Sequence, residues 1–274
     1  MSDNWQNAPI PHRRVGPFGW LRALTKGGAL GLVTYGGLAV LLLVRLGEAP
    51  LCGPSRPVTP HITQFVCRTA LRIFGLRVTV TGTPMTEKGA VVANHASWMD
   101  VFTLNAVEQV YFVAKSEVSG WPGIGWLARA TGTVFINRRG AEAKVQQAIF
   151  EDRLRAGHRL LFFPEGTSTD AIRVLPFKSS LFQAFYTHGL EQVMFIQPVS
   201  VIYHAPAGAD PRFYGWWGDM DFGPHLLMML AAPHHGRVEV ILHPPVPADG
   251  FEDRKALAQY CERVIRTKHT LAER

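Results

Sequence analysis

Cysteine is scarce in this chain: three residues, Cys52, Cys67 and Cys261, among 274. Their odd number, wide spacing and lack of any C-x-x-C argue against a disulfide framework or a zinc knuckle. Each is expected to be a small buried apolar residue in a reducing compartment. Nucleotide-binding loops are missing too, since no G-x-G-x-x-G closes a strand and no Walker sequence occurs. The eleven histidines include no H-E-x-x-H, and His234-His235 falls in a turn flanked by proline and glycine, where exposure is expected rather than ligation. No metal is expected. Acidic residues are outnumbered, 21 against 28 Lys and Arg, for a formal net charge of +7. That balance favours an anionic partner such as a phospholipid surface or an acidic carrier protein. Finger spacings and aromatic–basic RNA motifs are absent, so nucleic acid is not expected.

What is present begins with an apolar end. Residues 27–44, GGALGLVTYGGLAVLLLV, carry no charge and are bracketed by Lys26 and Arg45. The length meets the minimum for a spanning helix, while five glycines weaken it as a span and leave a buried core helix open. No convincing cleavage site follows, so a retained anchor is expected rather than a signal peptide. After a linker with Pro50, Pro54, Pro57 and Pro60, helical spacing joins Ile62, Phe65, Val66, Thr69 and Ile73, and Gln64, Arg68 and Arg72 recur on another face. Two readings of this amphipathic helix stand: it lies in a membrane interface, or its apolar side caps the soluble part. Arg13, Arg14, Arg22 and Lys26 favour an inside N-terminus, and a single span would then put most of the chain outside. A shallow hairpin keeps the soluble part on the inner face. The expected division is a membrane-associating hairpin over residues 1–75 and a soluble domain over 76–274.

Beyond residue 75, apolar runs predict strands at 76–80, 90–93, 110–114, 133–136, 159–163, 193–201 and 238–243. Helical patterns occupy 98–107, 124–130, 141–156, 179–187 and 252–270. This alternation predicts an α/β fold, a mixed and largely buried β-sheet flanked by helices. The run LLMMLAA at 226–232 is too short to span a bilayer and is expected to be a short core helix.

The stretch VVANHASWMD takes an apolar strand straight into Asn94, His95 and, five residues on, Asp100. Within one regular helix the last two would point about 140° apart. They meet only if His95 sits in the strand-to-helix turn and the helix begins near Ser97, with Ser97-x-x-Asp100 as a capping box. Taken alone, that spacing also suits a helix-capping aspartate and a turn histidine with local hydrogen bonds. A second strand, in RLLFFPEGTSTD, ends abruptly in Pro164, Glu165, Gly166 and Thr167. Ligands of open α/β sheets gather outside the carboxyl ends of strands, so the two ends are expected to face one cleft.

NHASWMD, GTVFINR, FPEGT and FIQPVSV, in this order, resemble the four blocks of the glycerolipid acyltransferase family, whose bacterial members include lysophosphatidate acyltransferases. The resemblance covers residues 90–201. It implies transfer of a fatty acyl group from a thioester, on acyl carrier protein or coenzyme A, to a lipid hydroxyl, with no other cofactor. A bacterial inner-membrane enzyme facing the cytoplasm is the implied setting. His95 becomes the expected general base, worth about 10²–10⁴-fold for an alcohol nucleophile. Asp100 would fix its tautomer and stabilise the imidazolium. With no G-x-S-x-G elbow, and no cysteine paired to a histidine, direct transfer is expected.

On the acceptor side the resemblance implies Phe135, Arg138, Glu165, Gly166 and Thr167 as binding residues, with Asn94, Ser168 and Lys178 beside them. Arg138 is suited to bidentate binding of a phosphate or carboxylate. Phosphate-recognising members read EGTRS, whereas this chain reads EGTSTD. Loss of that arginine removes a charge-assisted contact of about 1.5–3 kcal/mol, unless Lys178 substitutes. Lyso-ornithine lipid therefore stands beside lysophosphatidate as acceptor, with Arg138 and Asp170 complementing its carboxylate and ammonium. The competing reading is a membrane-tethered protein that binds an anionic lipid without turnover; a base–carboxylate pair argues against it.

Overall fold

Five-residue apolar runs closed by turn residues build the centre of the molecule. The structure, a computed structural model, describes residues 5–7, 15–136, 143–187 and 190–269. Its strands are β1 (Arg77–Thr81), β2 (Gly89–Ala93), β3 (Tyr111–Lys115), β4 (Val134–Ile136), β5 (Leu160–Phe162), β6 (Phe195–His204), β7 (Arg237–Leu242) and β8 (Val246–Pro247). They lie in the order β1-β7-β6-β2-β5-β3-β4, with β8 beside β6. From β6 to β4 the pairing is parallel; β7 and β8 run antiparallel to β6, and β1 is parallel to β7. The sheet is therefore mixed, as expected. The seven predicted strands are all present; the two-residue β8 was too short to show a pattern.

Helices α1 (Pro17–Cys52), α2 (Thr59–Phe74), α3 (Asp100–Val107), α4 (Ile124–Ala130), α5 (Ala143–Arg155), α6 (Phe222–Ala231) and α7 (Arg254–Thr267) flank the sheet. The stretch predicted at 179–187 is a 3₁₀ helix over Ser179–Tyr186 instead. Alternation along β2 divides the core between two faces. Val91 and Ala93 join Leu71 and Phe74 of α2, Leu104 of α3 and Met229 of α6. On the other side Ala90 and Val92 join Leu154 of α5 and Leu257, Cys261 and Ile265 of α7.

The first two helices form the expected hairpin, but α1 is longer than its apolar run and continues through Pro50. At 36 residues it spans about 54 Å. Gly19, Ala23, Leu30, Thr34, Leu41 and Glu48 form one buried stripe along it. Phe18, Leu21, Leu24, Leu32, Leu43 and Leu46 are exposed. Gly37 permits the close crossing with α2: a Cβ there would lie 2.3 Å from Val66 Cγ2.

Two of the basic residues before the apolar run are engaged within the protein: Arg22 Nε donates to Ala231 O at the end of α6, and Lys26 Nζ to Phe74 O at the end of α2. The α2 helix packs inward through Cys67, Ala70, Leu71 and Phe74, while Arg68 Nε caps α3 at Ala106 O, 2.8 Å away. Cations at helix C-termini satisfy carbonyls that have no partner within the helix. Cys52 is exposed, whereas Cys67 and Cys261 are buried free thiols as expected.

Candidate active site

The cleft is built from the turn that follows β2. Ladder pairing between β2 and β6 ends at Ala93 and Val199, and Asn94 extends it with its side chain. Its Nδ2 donates to Val201 O at 2.9 Å, and its Oδ1 accepts from Val201 N at 2.8 Å. Asn94 thus pins the turn from a buried position rather than facing a ligand. His95 follows, and its Nδ1 lies 2.7 Å from Asp100 Oδ2. The imidazole is 20% exposed and the carboxylate fully buried.

The aspartate stands at the junction of loop and helix. It opens α3, and its Oδ2 also accepts the N–H groups of Ala96 and Ser97 at 2.8 and 3.0 Å. Its Oδ1 accepts the Tyr203 hydroxyl at 2.9 Å. Regular helix begins at Asp100, not at Ser97, because the carboxylate gathers the preceding loop beneath it. The expected capping box is thus half made: Ser97 O, not its hydroxyl, accepts the Asp100 N–H at 3.0 Å.

The second strand end meets this one directly. Phe163, just past β5, stacks on the His95 ring with centroids 4.0 Å apart. Glu165 is buried and braces two backbones: Oε1 accepts from His95 N and Oε2 from Leu175 N, each at 2.6 Å. Burial pushes its carboxyl up to about 8, against the pull of those two N–H donors and aided by the nearby charge of Asp100. Thr169 N donates to His95 O at 2.9 Å, and Trp216 N is shared by Ala96 O and Thr169 O. The two strand-end loops therefore meet directly. Gly166 takes a left-handed φ of +73°, which only glycine adopts without strain.

The remaining acceptor-side residues fall in different places. Thr167 is exposed at the tip of the loop and Ser168 is buried beneath it. Lys178 is exposed, and its backbone N–H donates to Pro164 O at 3.0 Å. Phe135 is half-buried on β4, beyond β3 from the loop. Arg138 lies outside the described residues. Asp170 is not available to an ammonium group: it is 2% exposed and accepts from Arg173 Nε at 2.9 Å and from two backbone N–H groups. Of the histidine pair, His234 is exposed as expected. His235 is half-buried, with Nε2 donating to Met229 O at 2.8 Å and Nδ1 facing the Tyr214 hydroxyl.

Sequence reasoning missed Phe163, Thr169 and Tyr203. Phe163 had a signal, a second phenylalanine directly before the Pro-Glu-Gly turn. Tyr203 had none, since it lies 103 residues from Asp100.

Chemically, the carboxylate holds a proton on Nδ1 and leaves Nε2 as the basic nitrogen, able to accept the proton of an alcohol. Among the described residues, no hydrogen bond joins the His95 ring to a hydroxyl or thiol that would serve as a protein nucleophile.

Comparisons with known proteins agree with this architecture. Residues 77–202 match the family model described as Acyltransferase. A lyso-ornithine lipid O-acyltransferase of Rhodobacter capsulatus is 58% identical over 259 residues, 94% of each chain. A lyso-ornithine lipid O-acyltransferase of Brucella abortus is 38% identical over 75% of this chain and 80% of its own. A 1-acyl-sn-glycerol-3-phosphate acyltransferase of Neisseria gonorrhoeae is 32% identical over 64% and 67%. The crystal structure of the 1-acyl-sn-glycerophosphate acyltransferase of Thermotoga maritima shares the fold, with a TM-score of 0.64 at 22% identity, covering 93% of this chain and 97% of that one. With its sheet, its paired loops and a relative of this identity along nearly its whole length, the chain belongs to the acyltransferase family.

Proposed function

We propose that this acyltransferase moves a fatty acyl group from a thioester to a hydroxyl of lyso-ornithine lipid, with His95 as general base. The observation that carries the reading is the 2.7 Å contact of His95 Nδ1 with a buried Asp100, where the loops after two strands meet. Nε2 takes the proton of the acceptor hydroxyl as its oxygen bonds to the thioester carbon. The tetrahedral adduct then collapses, the carbon–sulfur bond breaks, and the leaving thiolate recovers the proton from the imidazolium. The donor is acyl carrier protein or a coenzyme A thioester, either of which a basic chain attracts.

Two features favour the aminolipid acceptor over lysophosphatidate. The Rhodobacter and Brucella relatives bearing the lyso-ornithine name match this chain at higher identity and coverage than the phosphate-named relative of Neisseria gonorrhoeae. Ser168, buried beneath the loop, stands where phosphate-recognising members carry an arginine, so that position supplies no cation for a phosphate. Arg138 is then the partner for the ornithine carboxylate, and Gly166 and Thr167 line the approach. Purified enzyme given each acceptor with each donor, with products read by mass, tests this. Acylated ornithine lipid is expected; exclusive use of lysophosphatidate would overturn the acceptor, and no product from either would overturn the reading.

The setting we propose is the cytoplasmic face of a bacterial inner membrane. Helix α1 is long and apolar enough to cross a membrane. Its buried stripe, running from Gly19 to Glu48 against the rest of the protein, favours a helix lying in one leaflet. Full protease protection of the C-terminus in sealed inside-out vesicles would rule this out.

A further inference from the structure

We propose that Tyr203 is a positioning residue for the His95–Asp100 pair, and that Thr103 orients it. The inference rests on the general-base reading above and extends it by two residues. Asp100 presents two oxygens in a fully buried position. Oδ2 is held by three donors: His95 Nδ1, Ala96 N and Ser97 N. Among the described residues Oδ1 has one donor, the Tyr203 hydroxyl at 2.9 Å. A buried carboxylate oxygen without a donor is costly, and an unmet Oδ1 would favour turning the carboxylate about its Cβ–Cγ bond, away from the Oδ2 donors, to find one. Tyr203 removes that drive, and so fixes the direction from which Oδ2 meets the imidazole.

Proton accounting gives the chain its direction. A tyrosine hydroxyl has a single proton, and a carboxylate can only accept, so that proton lies toward Oδ1. The Thr103 hydroxyl, 3.1 Å from the Tyr203 oxygen, must then donate to it. Thr103 lies three residues after Asp100 on α3, and Tyr203 comes from β6. Thr103, Tyr203 and Asp100 form one line of hydrogen bonds, each polarising the next toward the imidazole. Burial and the charge of Asp100 keep Tyr203 protonated far above its ordinary range, so it remains a donor throughout. The Tyr203 ring also packs on Tyr214, with centroids 5.2 Å apart, a contact that phenylalanine preserves. Tyr203→Phe therefore isolates the hydroxyl.

The test compares wild type, Tyr203→Phe and Thr103→Val for kcat, KM, the pH profile of kcat/KM and thermal melting. It also follows the low-field proton resonance of the His95–Asp100 bond by NMR. Tyr203→Phe is expected to lower kcat about 10- to 100-fold, the worth of one hydrogen bond to a charged group, with KM little changed. The acid limb of the profile should move to higher pH, because the carboxylate regains charge density facing the imidazolium. The low-field resonance should move as well. Thr103→Val should show the same changes at smaller size. If Tyr203→Phe affects only the melting temperature, leaving kcat, the acid limb and the resonance as in wild type, the proposal is overturned. Absence of turnover in wild type would defeat the acyl-transfer reading, while the resonance would still decide whether Tyr203 positions the pair.

Discussion

The N-terminal hairpin and the strand-end loops both commit ionisable side chains to backbone atoms, basic in one and acidic in the other, with different tolerance. In the hairpin, long cations reach carbonyls at helix ends: Arg22 to α6, Lys26 to α2, Arg68 to α3 and, from the loop between α1 and α2, Arg56 to Ala130 O of α4. In the active site, short buried acidic side chains gather N–H groups: Asp100 from Ala96 and Ser97, Glu165 from His95 and Leu175. A flexible cation capping a helix end can shift by an ångström and still bond. A buried carboxylate that also orients an imidazole cannot. The hairpin is held by interchangeable contacts, and the cleft by unique ones.

The comparison should break first at the aspartate. Asp100→Asn keeps the shape but puts an amide where an anion faced the imidazole, and is expected to lower kcat by about 10²–10⁴-fold with the fold intact. A loss below tenfold would place Asp100 among the ordinary helix caps. Next comes Glu165→Ala, which strands two buried N–H donors and should cost about 2–5 kcal/mol in chemical unfolding along with most activity.

The pH dependence of melting separates buried groups of opposite kind. His158, His225 and His269 are buried and held down to about 4, chiefly by desolvation, so they stay neutral in the fold. Unfolded, they take protons below their ordinary 6.5, so stability should fall as pH drops from 6.5 toward 4. Glu165 acts in the reverse sense: the fold keeps a proton up to about 8 that the unfolded chain releases near 4.5, so its contribution declines as pH rises between those values. Glu165→Gln should flatten that upper decline, and an unchanged slope would contradict the assignment.

Smaller effects are expected in the hairpin. Gly37→Ala forces Val66 away and should cost about 1–3 kcal/mol, with Val66→Ala in the same chain restoring much of it. Failure of that rescue would mean the crossing is not set by this contact. Arg68→Ala should cost only about 0.5–1.5 kcal/mol and leave kcat unchanged, with Arg68→Lys near wild type.

The two regions also differ in how much of them was legible in the sequence. Buried strands announce themselves as apolar runs, so β2 and β5 could be placed within one residue at each end. The spacing of His95 and Asp100 allowed a pairing only with His95 in the strand-to-helix turn, and it became the expectation through the second strand end and the resemblance of the four blocks to a known family. The inward face of α2 stayed hidden because Cys67 and Ala70 are small and carry little hydropathic signal. Basic residues before the apolar run were readable as charge, but their true partners are carbonyls on helices far along the chain. The same limit applies to Glu165: its presence was legible, while the two N–H groups it holds depend on how loops 10 and 70 residues away return to it.

The most direct measurement is acyl transfer by His95→Ala, using lyso-ornithine lipid and an acyl thioester, with product counted by mass and folding checked by melting. The account predicts product at the level of the uncatalysed mixture and a melting curve close to wild type. A well-folded variant that still turns over at a substantial fraction of the wild-type rate would contradict it.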